Sequence, residues 1–516
     1  MYSQKVSRWI PKGAMAMRSR SAILLLSVSL FGISGCTHMS MGGLQPGKTE
    51  TVADIPQAPQ DEASNKPEWV TPSPDRLPST DWIAEFNDPV LSKLVSEAMS
   101  ANTNVRLAAA RVAAAEASAK SSRSGLYPSI NATGSASRNL IADSPGVDSS
   151  PSAADNSRFS LGDSVSWELD MWGRVRDTAN AGDLNAEASN ADYAGARLSI
   201  AGATTQTWFN LIEARLQLDL AERNVQTQER ALRLTKRRFD GGVSGSSDYR
   251  LARSALANAQ ATLAFRKQNK SAISRQLETL LRRYPEAEVV ASADLPMLPP
   301  LTDAGTPDEI FLRRPDLLAA ERRMQAQGLQ VDIAKKNLLP RLTLSGNASL
   351  GGGSLTRLFS LESLISSITG GITAPIFQGG ALRAEVARND AVLIQLAESY
   401  ADTALNAYRE VEDALDAEEH LQERERALQV SLEEARKAEE RLEQRFSEGL
   451  ASILQLLDSQ SRRINTEGQY ISARKERLAN RVRLHLALGG GLYGAESARE
   501  KLPKPKLVIP KIASLN

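Results

Sequence analysis

The chain has 516 residues, of which 24% are charged and 5% aromatic; its 62 Lys and Arg nearly balance 61 Asp and Glu, for a net charge of +1. That length has room for several ordinary domains, but the mixture favours long helices over a bulky globular core. Near-neutrality argues against a nucleic-acid binder, which carries a basic domain or stripe.

Lys5, Arg8, Lys12, Arg18 and Arg20 form a basic stretch that leads into the apolar run Ala22 to Ile33. The run is too short for a spanning helix and suits an export signal, so residues 1–35 read as a signal peptide. Cys36, the only cysteine, follows Ile33-Ser34-Gly35. This arrangement resembles the bacterial lipobox, in which cleavage exposes the cysteine to a diacylglycerol thioether and N-acylation. The alternative is an incidental buried thiol. A single cysteine excludes an internal disulfide framework or a cysteine metal cluster. In lipoproteins an Asp after the cysteine signals inner-membrane retention, so Thr37 favours the outer membrane. Residues 36–79, with prolines at 46, 56, 59, 67, 72, 74 and 78, bury too little apolar surface to fold alone and read as a tether.

A first unit spans residues 80–283. Asp88-Pro89 predicts an N-cap and first helical position, with the helix running to about Gly125 and stopped by Tyr127-Pro128. Two alternating segments follow, about 129–139 and 158–170. In the first, Ile130, Ala132, Gly134 and Ala136 share a face; in the second, Phe159, Leu161, Val165, Trp167 and Leu169 do, with Asp163 interrupting. A helix from about Arg174 to Arg238 carries Leu211, Leu218, Val225, Leu232 and Phe239 seven apart, the spacing of a coiled-coil seam. It ends at Arg238-Phe239-Asp240-Gly241-Gly242, and a returning helix runs from Ser247 to about Arg283. The proline-rich stretch 284–305 reads as a surface linker.

The second unit, 306–490, repeats this order. Thr306-Pro307-Asp308-Glu309 predicts a capping box, opening a helix that continues through Arg314-Pro315 to about Leu338. Leu339-Pro340 stops it. Strands are expected at about 341–350 and 366–377, with Leu342, Leu344, Gly346, Ala348 and Leu350 on one face and Ile368, Ile372, Ala374 and Ile376 on one face of the other. A helix from about Leu382 to Arg445 bears Ala414, Leu421, Leu428, Ala435 and Leu442 seven apart. It ends at Arg445-Phe446-Ser447-Glu448-Gly449, and a return helix runs from Ser452 to about Leu488. Residues 491–516 form a Pro- and Lys-bearing tail.

Each alternating segment has the length of a transmembrane β-strand, ~9–11 residues. Taken singly, each also fits a half-buried sheet in a soluble domain. Four strands cannot close a barrel, and an open edge is not tolerated in lipid, so the chain must pool strands with copies of itself. Three copies give a closed ring of twelve. The long helices, ~65 residues and ~100 Å at 1.5 Å per residue, are too charged for lipid; alone they also fit a free-standing coiled-coil rod. The expected fold class is mainly α with a membrane β-barrel, built from a duplicated strand-pair and long-helix unit. Catalysis finds no support: His38, His420 and His485 are scattered, with no zinc, nucleophile-elbow or phosphate-loop motif.

Several words together resemble the TolC-like outer membrane efflux family, in its lipoprotein, OprM-like branch. They are Trp167-Glu168-Leu169-Asp170-Met171-Trp172-Gly173-Arg174, Arg313-Arg314-Pro315-Asp316 with Ala320-Glu321-Arg322-Arg323, Pro375-Ile376-Phe377-Gln378-Gly379-Gly380, both Arg-Phe-x-x-Gly tips and Leu456-Leu457-Asp458. The resemblance covers about residues 80 to 490. It implies a homotrimeric tunnel, with a twelve-stranded outer membrane barrel continued by a twelve-helix periplasmic barrel. It also implies two partners, a periplasmic adaptor and an inner-membrane transporter, usually of the resistance-nodulation-division type. No cofactor is expected beyond lipid on Cys36.

By the same resemblance, the periplasmic gate falls at Asp248, Leu454, Gln455 and Asp458, and the adaptor-contact tips at Gly242, Val243, Gly449, Leu450 and Ala451. Each Asp also fits a helix-start carboxylate favoured by the helix dipole. Gln455 stands where some relatives are acidic, and Ser461 where some carry a gate-pairing Arg. The lipobox and the Pro-Ile-Phe-x-x-Gly word lean towards drug-type efflux; protein secretion or metal-ion efflux remain alternatives, and an adaptor or scaffold is a further one.

Overall fold

The computed structural model describes residues 69–71, 81–139, 156–354, 360, 362 and 364–490, all within the second of two units, Pro56–Asn516. The signal peptide, Cys36, most of the tether and the 491–516 tail lie outside the described residues.

Asp88 caps α1 (Pro89–Ala101), its carboxylate accepting from the Val90 and Leu91 amides. The single helix expected here is two. Asn102 is extended (ψ 137°), and its side chain accepts from the Asn104 amide to start α2 (Thr103–Ser124). Its amide nitrogen donates 2.8 Å to the Leu280 carbonyl. A capping side chain with a distant second partner thus outcompetes helix continuation.

Four strands form one antiparallel sheet in chain order: β1 (Ser129–Asn139), β2 (Asn156–Leu169), β3 (Arg341–Gly352) and β4 (Leu364–Thr373). Ile130 stands opposite Val165, Val165 opposite Gly346, and Gly346 opposite Ile368, so the apolar positions of the four strands share one face, with Ile365, opposite Ser349, on the other. Ser135 and Ser160 bond across the other face at 2.8 Å. Because side chains alternate with period two, a one-residue slip would mix the faces, and the pattern fixes the register. Ala374 and Ile376 lie beyond β4, which ends at Thr373. Pro375 has no N–H for the ladder.

Two helices of 67 residues each, α3 (Arg174–Asp240) and a later one, dominate the chain, and each is followed by a 35-residue return. The first return is α4 (Ser246–Leu280). The second half opens with a 3₁₀ turn, Pro307–Glu309, a short α5 (Ile310–Arg313) and α6 (Pro315–Lys336). The Thr306 capping box does not form: Thr306 makes no side-chain cap, and the Glu309 carboxylate pairs with Arg313 at 2.6 Å. Nor does the helix run through Arg314. The ring of Pro315 drives the preceding residue out of helical space, so Arg314 is extended (ψ 121°) and Pro315 starts afresh. Then come α7 (Ala381–Ser447) and α8 (Ile453–Ala487). Among the described residues, no helix is long and apolar enough to cross a membrane.

At 1.5 Å per residue a 35-residue return covers only half of a 67-residue helix. The other half is covered by α2 and α6, which pack on α3, and by α6 on α7. Two apolar cores mark the handover at mid-helix. One gathers Trp82, Phe86, Trp208, Phe209, Leu277 and Val482; the other Ile310, Leu317, Ala407, Val411, Leu484 and Ala487. The 284–305 linker is not purely superficial, because Ala291 and Leu295 join the first core and Ala304 the second. The tether is also pinned near its end. The Trp69 indole donates 2.7 Å to the Gly305 carbonyl and meets Tyr408 edge-on, while the Val70 amide donates to Glu412.

Candidate functional site at the helix tips

Both long helices end in the same turn. In the first, the Gly242 amide donates to the Phe239 carbonyl and Val243 to Arg238; in the second, Gly449 donates to Phe446 and Leu450 to Arg445. This is the Schellman arrangement. It puts Gly242 at φ 75° and Gly449 at φ 82°, a left-handed conformation that a Cβ disfavours. Val243 is 72% exposed and Leu450 65%, so the apolar residues beyond each glycine face outward.

The tips are chemically joined. The Arg238 guanidinium donates 2.9 Å to the Phe446 carbonyl and lies 5.0 Å from the centre of the Phe446 ring. Phe446 is buried in a cluster with Ala252, Ile453 and Leu456. The two Arg-Phe-x-x-Gly words, legible as a repeat, therefore meet as one clasp between repeats. That pairing had no signal in the sequence, because the two words stand 207 positions apart.

The expected gate residues lie just past these turns. Asp248 is in the first turn of α4 and accepts 2.7 Å from the Ser244 hydroxyl. Leu454 is exposed in the first turn of α8. Gln455 completes a capping box: its side-chain oxygen accepts from the Ser452 amide, and its own amide donates to the Ser452 hydroxyl. Asp458 is exposed and pairs with Arg462 one turn on, at 2.8 Å. Arg462, next to Ser461, was not singled out by the sequence reading, although its i,i+4 spacing from Asp458 was visible. The cluster of Ala252 with Leu456 brings the two gate stretches side by side.

Further up the second hairpin, charges are buried. Glu467 of α8 pairs with Arg223 of α3 at 2.9 Å, Arg436 of α7 at 3.2 Å and Arg463 at 3.0 Å; Arg463 also holds Glu439. Burial is the largest single influence and pushes the Glu467 carboxyl up. The Arg223 bond and charge, with Arg463 and Arg436, together outweigh it and hold the group below the usual range. Glu418 pairs with Arg477 and Arg481, and Glu425 with Arg477.

The seam also differs from the leucine heptad expected on α3. Leu211 is buried, Leu218, Val225 and Leu232 are half-buried, and Phe239 is exposed; the buried line is Ala214, Ala221, Gln228 and Thr235. Gln228 faces Gln460 of α8 at 3.1 Å. A central helix with neighbours on two sides buries its small residues, where backbones approach closest. On α7 the expected line is half-buried beyond Ala414, while Glu418, Leu432, Glu439 and Phe446 are buried.

A family model described as outer membrane efflux protein matches residues 94–281 and 306–490. The pyoverdine export outer membrane protein OpmQ of Pseudomonas putida is 29% identical over 484 residues, covering 92% of this chain and 98% of its own. OpmQ of Pseudomonas aeruginosa is 30% identical over 414 residues, 80% of this chain and 87% of its own. Among solved structures, the outer-membrane channel OprN superposes with a TM-score of 0.74 at 29% identity, over 83% of this chain and 95% of that one.

Proposed function

The chain belongs to the outer membrane efflux protein family, and we propose that three copies of it close into the gated outer membrane tunnel of a tripartite pump, a passage and not an enzyme. The observation that carries this reading is the pair of open edges. Among the described residues, β1 and β4 of the sheet each pair on one side only. In the hairpin layer the order is α4, α3, α8, α7, again with two outer members. Joining β4 to β1 and α7 to α4 of successive copies extends both layers together, and three copies give twelve strands and twelve helices. The apolar sheet face then meets lipid, and the small polar face lines the bore.

In this assembly the periplasmic adaptor engages the tips at Gly242, Val243, Gly449 and Leu450, which are exposed, and at Ala451, which is half-buried against the Phe446 cluster. An inner-membrane transporter of the resistance-nodulation-division type supplies the energy. Cys36 carries the lipid. Threefold symmetry gathers three copies of Asp458 and of Asp248, whose carboxylates favour cations in a narrow bore, while Leu454 adds an apolar constriction. Gln455 acts there through Ser452, fixing where the gate-bearing helix starts.

Single-channel recording tests the gate. Asp458→Ala is expected to reduce cation preference and raise resting conductance. Unchanged conductance and selectivity would remove Asp458 from the gate.

A further inference from the structure

The duplication gives every residue of the first hairpin a counterpart 207 positions later, since Gly242 matches Gly449 and the two returns have equal length. Arg238 thus corresponds to Arg445, Phe239 to Phe446, and Tyr249 to Leu456. Within the chain only half of the possible clasp is made. Arg238 reaches Phe446, but Arg445, on the other long helix, makes only a 3.5 Å contact with the Leu450 carbonyl among the described residues. Phe239 is 39% exposed where Phe446 is 3%. Tyr249 stacks on Phe239 at 5.8 Å, as Leu456 joins the cluster around Phe446.

The unfilled half has the right shape. Arg238 runs beside Gly449, where a Cβ would stand 3.7 Å from its guanidinium; beside Gly242 nothing lies within 4 Å. The Phe239 carbonyl accepts from the Gly242 amide, as Phe446 does from Gly449; each then has a second lone pair, which at Phe446 takes the Arg238 bond. The helix faces agree. Gln228 of α3 is buried against Gln460 of α8, and Arg223, itself exposed, pairs with Glu467. Their counterparts on the outer helix α7 are Ala435, half-buried, and Val430, exposed.

We propose that Arg445 clasps Phe239 of the partner subunit. The guanidinium covers the ring face opposite Tyr249 and donates to the Phe239 carbonyl. This rests on the trimer reading above and adds a specific lock to it: internal and intersubunit clasps alternate around the tip, tying each α7 end to the next α3 end. A cation over an aromatic face with a charge-assisted hydrogen bond is a directional contact. It holds the tips in register while the channel is shut.

The test places the photo-crosslinker p-benzoylphenylalanine at Phe239 of the full chain in outer membranes, with a second probe at Ala136 on β1. Mass in detergent gives the oligomeric state independently. The expected result is a trimer in which the Phe239 probe joins residues around Arg445 of another copy, with the yield lowered by Arg445→Ala and kept by Arg445→Lys. Arg445→Ala should also raise the resting open population about tenfold, the ratio that corresponds to ~1.4 kcal/mol. A trimer whose Ala136 probe crosslinks between copies but whose Phe239 probe does not would overturn the clasp and leave the assembly standing. A monomer by mass would overturn both.

Discussion

The two hairpins have the same lengths and the same turns but opposite seams. Leu211, Leu218, Val225, Leu232 and Phe239 of α3 occupy the positions that carry Glu418, Glu425, Leu432, Glu439 and Phe446 in α7. Facing those glutamates, α8 presents Arg463, Arg477 and Arg481; the matching positions of α4 carry Leu256, Lys270 and Ser274. One heptad geometry therefore accepts either filling, and the consequence lies in tolerance to movement. A non-directional apolar contact can slide with modest loss. A buried carboxylate that leaves its arginine stays desolvated and unpaired, which is costly. The second hairpin is thus fixed in register and tied to α3 through Arg223, while α4 is the more compliant member.

Breaking the charged seam should give the largest effect. Glu467→Gln leaves Arg463 buried with half its partners and should cost about 3–5 kcal/mol, read as a lower temperature for loss of helical ellipticity in detergent. The counterpart Gln260 is exposed, and Gln260→Ala should change stability by less than about 0.5 kcal/mol. Replacing Arg463, Glu439 and Glu467 together by Met, Leu and Leu should recover most of the loss, since an apolar seam of similar volume carries no desolvation cost. Equal effects at Glu467 and Gln260 would mean that the two seams do not differ.

The upper ends of the returns sharpen the comparison through pH, because positions 278 and 485 correspond. Glu278 is buried and accepts from the Ala287, Glu288 and Val289 amides. Burial pushes its carboxyl up, but these bonds outweigh it and hold it below the usual range. His485 is stacked on Trp82, with Arg481 close by and Glu85 at 3.8 Å; burial, then Arg481, pushes the imidazole down to about 4. A base whose folded value lies below its ordinary 6.5 is protonated first in the unfolded chain. Its contribution is full above pH 6.5 and lost progressively as pH falls towards 4, by as much as ~3 kcal/mol. The Glu278 contribution is full above the ordinary carboxylate value and lost only below it. His485→Gln should therefore flatten the melting-temperature profile between pH 6.5 and 4 and leave the more acidic limb. A slope retained in that variant would assign the titration elsewhere.

Much of this architecture was legible because two signals are local. Period-two alternation gave the strands, and prolines 128 and 340 marked where the preceding helices stop. What sequence could not give was partner choice. The leucine heptad of α3 was visible, but that its alanines and Gln228 are the buried line depends on α3 having neighbours on both sides. The seven-residue spacing of Glu418, Glu425 and Glu439 was equally visible, yet glutamates at that spacing read as a solvated face until the arginines of α8 are placed against them. Trp69 looked like part of a tether because its contacts, Gly305 and Tyr408, are more than 200 residues away. At the gate, the candidate residues could be named by resemblance, whereas the Arg238–Phe446 clasp needed the fold.

The smallest expected effect concerns how the two returns begin. A capping box was expected at Thr306 and is found at Ser452, because Glu309 is drawn to Arg313 while Gln455 has no competing cation among its partners. Its counterpart, Gly245, caps α4 with no side chain. Ser452→Ala removes the acceptor for the Gln455 amide and leaves the Gln455 side chain only the backbone amide of residue 452 as donor, at a cost of about 1 kcal/mol. Gly245 is extended (φ −77°, ψ 160°), and a Cβ there would meet only the Ser247 hydroxyl at 3.5 Å. Gly245→Ser should therefore be tolerated and gain a few tenths of a kcal/mol. Amide hydrogen exchange in the first turn of each return reads both changes, with faster exchange at Gln455 in the first variant and slower exchange at Asp248 in the second. If Ser452→Ala left Gln455 exchange unchanged, the gate-bearing helix would be started by its packing on Phe446 and not by its cap.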